Sequence, residues 1–254
     1  MRLLEDMRNG IERNEFVLEY QPQLDLSSGR VCGVEALVRW EHPQFGRMMP
    51  GQFIPLAEDA GSIKLLGRWV LNEACRQMKA WLETGYELET MGVNVSARQF
   101  RDASWIDDVL KALESNGLEP RFLELEITES HLIQDKFYAV QVMEQLRELG
   151  VGLAIDDFGT GYSSLSAISE FPLNRLKIDQ TFIDKTSSDD KARGIARAIV
   201  SLGQVLDLDV VAEGVETADQ LDFLKAIGCA KGQGYFLGRP VAAADLEETL
   251  ARKA

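Results

Sequence analysis

Along the chain, short apolar runs that end in acidic or amide residues alternate with longer segments of helical period. FVLEYQPQLDL (16–26) and VCGVEALVRWE (31–41) both read as strands. The turn-forming Ser27-Ser28-Gly29 between them leaves room only for a hairpin, so this first pair is expected to be antiparallel. Helical patterns follow at 51–60 and 63–84. Strand and helix then alternate: MGVNVS before a helix at 104–116, FLELEIT before 136–149, VGLAIDD before a short helix at 163–168. RLKID precedes a long helix at 189–206, DVVAEGV one at 218–227, and KGQGYFLG one at 242–251. Such alternation implies βαβ units and a parallel sheet. Seven βα units after one antiparallel strand suit an α/β fold of the modified TIM type, a β/α barrel with an antiparallel first strand and about 250 residues. An open doubly wound sheet is the alternative. Polar residues at nearly every strand end favour the barrel. With no Pro- or Gly-rich linker, residues 1–254 are expected to form a single domain.

Composition changes this picture little. Of the 254 residues 45% are hydrophobic and 27% charged, ordinary for a globular protein. No apolar run approaches the roughly 20 residues that span a bilayer, so direct membrane insertion is not expected. The first 16 residues mix acids and bases without a signal-peptide core. Cys32, Cys75 and Cys229 are odd in number, far apart and without a CxxC pairing, which favours reduced thiols and a cytoplasmic setting. A net charge of −14 argues against a DNA or RNA polymer as partner. An acidic protein still takes an anionic substrate when metal cations stand between the two.

The candidate chemistry lies where each strand stops being apolar. Glu35 and Arg39 come late in the second strand, and Asn94 ends MGVNVS. Glu126 and Glu129 end FLELEITE, and Asp156 and Asp157 end LAIDD. Lys177 and Asp179 end RLKID, Glu213 and Glu216 end VVAEGVE, and Gln233 ends the last strand. Barrel enzymes gather strand-end groups at one mouth. Two unit charges 4 Å apart repel by about 4 kcal/mol at an effective dielectric near 20. Five or six acids in one mouth therefore require cations. The ligands are all oxygen, which suits magnesium, manganese or calcium. The adjacent Asp156-Asp157 suggests a carboxylate bridging two ions, a recurrent device for displacement at phosphorus. Glu213 or Lys177 would handle the proton of an attacking water, and Arg39 would steady phosphate charge.

Other motifs carry less. GTGYSS (159–164) imitates a dinucleotide-binding turn, but Asp156-Asp157 directly before it would repel a pyrophosphate. Its glycines read instead as a mobile loop over the metal site. His42 and His131 lack ligand spacing and are expected to be structural.

These residues fall in recognisable segments: YQP (20–22), EALVRW (35–40), VNVSARQF (93–100), ELEITES (124–130), IDDFGTGYSSL (155–165), LKID (176–179), AEGVET (212–217) and QGYFLGRP (233–240). Together, and in this order over nearly the whole chain, they resemble the EAL-domain cyclic di-GMP phosphodiesterases. The resemblance implies a modified barrel and hydrolysis of cyclic di-GMP to linear pGpG. It implies two Mg2+ or Mn2+ ions, with Ca2+ binding but inhibiting. Glu35, Asn94, Glu126 and Asp156 would hold one metal. Asp157, sharing Asp156, would hold the second, and Glu213 would stand near both the metal and the water that Lys177 orients. Glu129 would anchor the loop from Asp157 to Leu165, which supports a homodimer in this family. Glu216 and Gln233 would support the site, and Gln21, Leu37 and Arg39 would contact the dinucleotide. The alternative is a non-catalytic EAL-like receptor for cyclic di-GMP or a protein partner; such domains usually lack a ligand or the anchoring glutamate, and none is missing here. The start of the chain almost at the first barrel strand leads us to expect a longer parent with sensory or cyclase domains, which leaves membrane tethering open.

Overall fold

The computed structural model describes residues 2–133, 135–160 and 168–252. Among these residues nine strands form one sheet: β1 Phe16–Asp25, β2 Val31–His42, β3 Gly46–Met48, β4 Thr90–Asn94, β5 Leu123–Thr128, β6 Gly152–Phe158, β7 Arg175–Ile178, β8 Asp209–Ala212 and β9 Lys231–Gly232. The order β1-β9-β8-β7-β6-β5-β4-β2 closes on itself through the pairing of β1 with β2, with β3 as a short flap on β2. Strand β1 runs antiparallel to both its neighbours, and the pairings from β2 through β4–β9 are parallel. The fold is thus the modified TIM-type barrel expected from the alternation, not an open sheet.

The opening hairpin has a local cause. The Asp25 carboxylate accepts hydrogen bonds from Ser27 Oγ (2.6 Å), Ser28 N (2.7 Å) and Ser28 Oγ (2.8 Å), and Gly29 takes the left-handed conformation that closes the turn (φ 71°). The hydroxyl of Ser27 and the donors of Ser28 hold the Asp25 pKa down at about 2. Helices also start and stop where side chains dictate. Asp135 Oδ1 accepts from Tyr138 N at 3.2 Å at the start of Lys136–Leu149, which ends on left-handed Gly150. Their apolar faces cover the barrel with Trp81, Leu71, Val109, Met143 and Val200, all buried.

Two expectations need correction. The apolar KGQGYFLG is a strand only at Lys231–Gly232. A Cβ on Gly234 would lie 2.1 Å from Val215 N, so the chain passes tightly against Val215 and turns away, leaving Tyr235 and Phe236 half exposed. DVVAEGV likewise stops at Ala212, because Gly214 adopts φ 69°. An unanticipated helix, Arg2–Glu12, packs Met7 into the core. The short helix expected at 163–168 and most of the glycine loop fall on residues 161–167, outside those described. Among the described residues no helix is long and apolar enough to cross a membrane. All three cysteines are free and buried.

Candidate active site

Side chains alternate between the two faces of a strand, and here the inward face is polar. Glu124 and Glu126 of β5 stand on it with Arg175 and Lys177 of β7, Gln21 and Gln23 of β1, and Glu35 of β2. Lys177 is fully buried at the centre. Its Nζ lies 2.5 Å from Glu126 Oε2, 2.8 Å from Glu213 Oε1, 3.3 Å from Asp156 Oδ1 and 3.4 Å from Glu35 Oε2. Four carboxylates from four strands or strand ends thus converge on one ammonium, which is the convergence that the strand-end pattern called for.

Asp156 and Asp157 reach the same side by a different device. In a regular strand they would face opposite ways. The register of β6 against β7 shifts between Ile155 and Phe158, and Asp157 sits at φ 55°. Such bulges re-aim side chains at sites. Carboxylate oxygens of Asp156, Asp157 and Glu213 consequently lie within 4.8 Å of one another, a spacing that fits one or more cations.

Around this cluster the amides are ordered. Asn94 Nδ2 donates to Glu35 Oε1 at 2.6 Å. Gln233 Nε2 donates to Glu35 Oε2 at 2.5 Å and to Gln21 Oε1 at 3.0 Å. Gln21, Glu35, Glu213, Glu216, Gln233 and Tyr235 line a cleft of about 380 Å³. Glu216 is on its exposed rim. Glu129 is buried, and its Oε2 accepts from Gly159 N at 3.0 Å, which ties it to the start of the segment after β6; the remainder of that segment lies outside the described residues. Asp179 caps the helix Gln180–Ile183, accepting from Thr181 N at 2.9 Å, and stands against Asp157. Leu37 and Arg39 continue the inward face of β2 above Glu35. Arg39 is buried, and its Nε donates to Glu19 Oε2 at 2.8 Å. His42 and His131 stand apart from the acid cluster: His42 Nδ1 accepts from Gln44 N and Phe45 N, and His131 bonds Thr128.

The charges do not balance. Glu35, Glu126, Asp156, Asp157 and Glu213 face one lysine. Burial pushes Glu126 well above the carboxylate range, and Glu35 nearby adds to the effect. Burial also raises Glu213 to about 8, with Asp156 and Glu35 adding against the pull of Lys177. Asp157 is raised to about 6 by burial and by Asp156 beside it. Glu35 goes the other way: burial is outweighed by Lys177 and the amide donors of Gln233 and Asn94. Lys177 is held protonated, its neighbouring carboxylates outweighing its burial. Glu126 Oε1 is buried and accepts no hydrogen bond, and Asp156 Oδ1, also buried, has only the 3.3 Å ion-pair contact with Lys177 Nζ. Buried acceptors so poorly satisfied are costly, and two of them on an all-oxygen set fit a divalent cation. Glu35, Asn94, Glu126, Asp156, Asp157 and Glu213 are the residues that can hold it.

Sequence reasoning missed Glu19, which grips Arg39, and a lower layer of the barrel: Gln23, Glu124 and Arg175. The alternation in ELE and RLK carried the signal, because it puts Glu124 on the face of Glu126 and Arg175 on that of Lys177.

Comparison with known proteins agrees with this geometry. The EAL domain family model matches residues 4–240. MucR of Pseudomonas aeruginosa, a bifunctional diguanylate cyclase/cyclic di-GMP phosphodiesterase, is 49% identical over 251 residues, 99% of this chain and 37% of that protein. The cyclic di-GMP phosphodiesterase NbdA of the same species is 45% identical over 98% of this chain and 32% of its own length. The chain therefore spans about a third of the length of these relatives. The solved P. aeruginosa MucR phosphodiesterase in complex with c-di-GMP superposes with a TM-score of 0.93 at 49% identity, covering 97% of this chain and all of the other.

Proposed function

Since this chain belongs to the EAL domain family, we propose that it hydrolyses cyclic di-GMP to linear pGpG, with water attacking one phosphodiester bond beside two divalent cations, Mg2+ or Mn2+. One observation carries most of the weight: four carboxylates in contact with Lys177 and Asp157 beside them, with Glu126 Oε1 buried and given no donor. Glu35, Asn94, Glu126, Asp156, Asp157 and Glu213 would hold the metals. When bound, the ions supply Lewis acidity toward the phosphate and lower the pKa of water.

The chain's own groups divide the remaining work. Lys177, protonated and locked among carboxylates, acts as a fixed cation that orients the attacking water rather than as a base. Glu213 would be the group that takes the proton of that water once a cation has replaced its own proton, since in the cation-free protein burial raises it to about 8. Gln21, Leu37 and Arg39 would contact the dinucleotide. Glu129, through Gly159 N, anchors the loop after β6. Glu216 at the rim and buried Asp179 would be supporting residues. A homodimer, and sensory or cyclase domains in a longer parent, belong to the same proposal.

Incubating the chain with cyclic di-GMP and Mg2+ tests it. We expect pGpG to accumulate, chelator to stop it, and Glu35→Ala to lower turnover by about a hundredfold. Binding without product would instead make the chain a receptor.

A further inference from the structure

Beneath the carboxylate cluster lies a second buried polar layer that the proposed chemistry does not use. Arg175 Nη1 donates to Glu124 Oε1 at 2.6 Å, to Thr90 Oγ1 at 3.3 Å and to Gln23 Oε1 at 3.4 Å. Gln23 Nε2 donates to Gln233 Oε1 at 3.0 Å. Gln233 Nε2 then donates to Glu35 Oε2. Gln23, Gln233, Arg175 and Glu35 are all nearly fully buried, so no water competes for these groups.

The direction of this chain of bonds follows from chemistry alone. A guanidinium only donates, so the Gln23 atom facing Arg175 is its oxygen, and its nitrogen faces Gln233. The Gln233 atom facing Gln23 is then its oxygen, which leaves its nitrogen for Glu35. An ionised carboxylate only accepts, so the far end agrees with the near end. Gly33 clears the space: a Cβ there would lie 3.1 Å from Gln23 Oε1 and 2.8 Å from Thr90 Oγ1.

We propose that Arg175 and Gln23 are positioning residues for the metal site, fixing the amide sense of Gln233 so that it donates to Glu35 and holds that carboxylate in its ligating pose. The proposal rests on Glu35 being a metal ligand. Partners of this kind typically change metal affinity 10–100-fold when altered.

The test is binding of Mn2+ alone to the full chain, followed by electron paramagnetic resonance, for wild type, Glu35→Gln, Gln23→Glu and Gln23→Met. Gln23→Glu offers two acceptors to Gln233, so one carboxylate must face the amide oxygen; we expect binding about tenfold weaker. The loss runs against simple electrostatics, since an added negative charge would attract a cation. Gln23→Met removes the lock without reversing it, and should cost about threefold or less. If Glu35→Gln binds like wild type, the ligand assignment falls and the relay with it. If Glu35→Gln is weakened while Gln23→Glu is not, or if Met costs as much as Glu, the relay alone is overturned. Should Gln23→Glu fail to fold, the wild-type protein still decides: both glutamine side-chain amides should resist hydrogen exchange, and a Gln23 amide exchanging at the solvent rate contradicts the relay.

Discussion

At the scale of single residues, the site is shaped as much by an absent side chain as by the acids. Gly92 of β4 faces Glu126, and a Cβ there would lie 2.2 Å from Glu126 Oε1, the oxygen that lacks a donor. Gly92→Ala should therefore displace the carboxylate. We expect a cost of about 1–3 kcal/mol from overpacking and Mn2+ binding weakened about tenfold or more. Thermal unfolding and metal titration read these separately, and unaltered Mn2+ affinity would show that Glu126 is not needed in place. Glu35, Glu126 and Lys177 were all legible as sites in the sequence because each interrupts an apolar strand. Glu19 and Gly92 were not. Glu19 looks like an ordinary half-exposed strand residue, and a glycine shows its purpose only once the neighbour above it is known.

Among the elements, β6 shows how local geometry serves the site. Its bulge places Asp156 and Asp157 on one side and holds Asp157 at φ 55°, where burial and the like charge of Asp156 raise it to about 6. Asparagine tolerates the same backbone and removes the charge. Asp157→Asn in chelator at pH 8 should therefore melt about 2 °C higher, a small gain because the half-buried group is screened by solvent. The gain should shrink at pH 5 and vanish only below about 3.8, where the carboxyl is protonated in the folded and unfolded states alike. Activity should fall about a hundredfold at both pH 8 and pH 5. A variant less stable at pH 8 would remove the case for charge strain at the bulge. The opening hairpin was readable because Ser27-Ser28-Gly29 is a turn by composition. The last strand was misjudged because KGQGYFLG has strand-like hydrophobicity, while its course is set by the contact of Gly234 with Val215, which no local pattern encodes.

For the whole molecule, the barrel brings acids from distant parts of the chain around one lysine and leaves them short of positive charge. Glu213 has an ordinary value of 4.5 and a folded value of about 8, so between these pH values the metal-free folded state binds more protons than the unfolded one. Its contribution to stability is present below about 4.5 and is lost as pH rises through 8. Asp157 acts in the same sense between 3.8 and about 6. A divalent cation replaces those protons. The rise in melting temperature on adding Mg2+ should accordingly be larger at pH 8 than at pH 6, and an equal or smaller rise at pH 8 would mean that the ion binds elsewhere. The alternation of strand and helix made the barrel readable, since each unit announces itself locally. The stacking of Arg175 beneath Lys177 appears only when the barrel closes.

Diffraction at the manganese absorption edge, from crystals grown with Mn2+, tests the metal assignment most directly. Two anomalous peaks should lie among the side-chain oxygens of Glu35, Asn94, Glu126, Asp156, Asp157 and Glu213. Peaks at other residues, or none at saturating Mn2+, would contradict it.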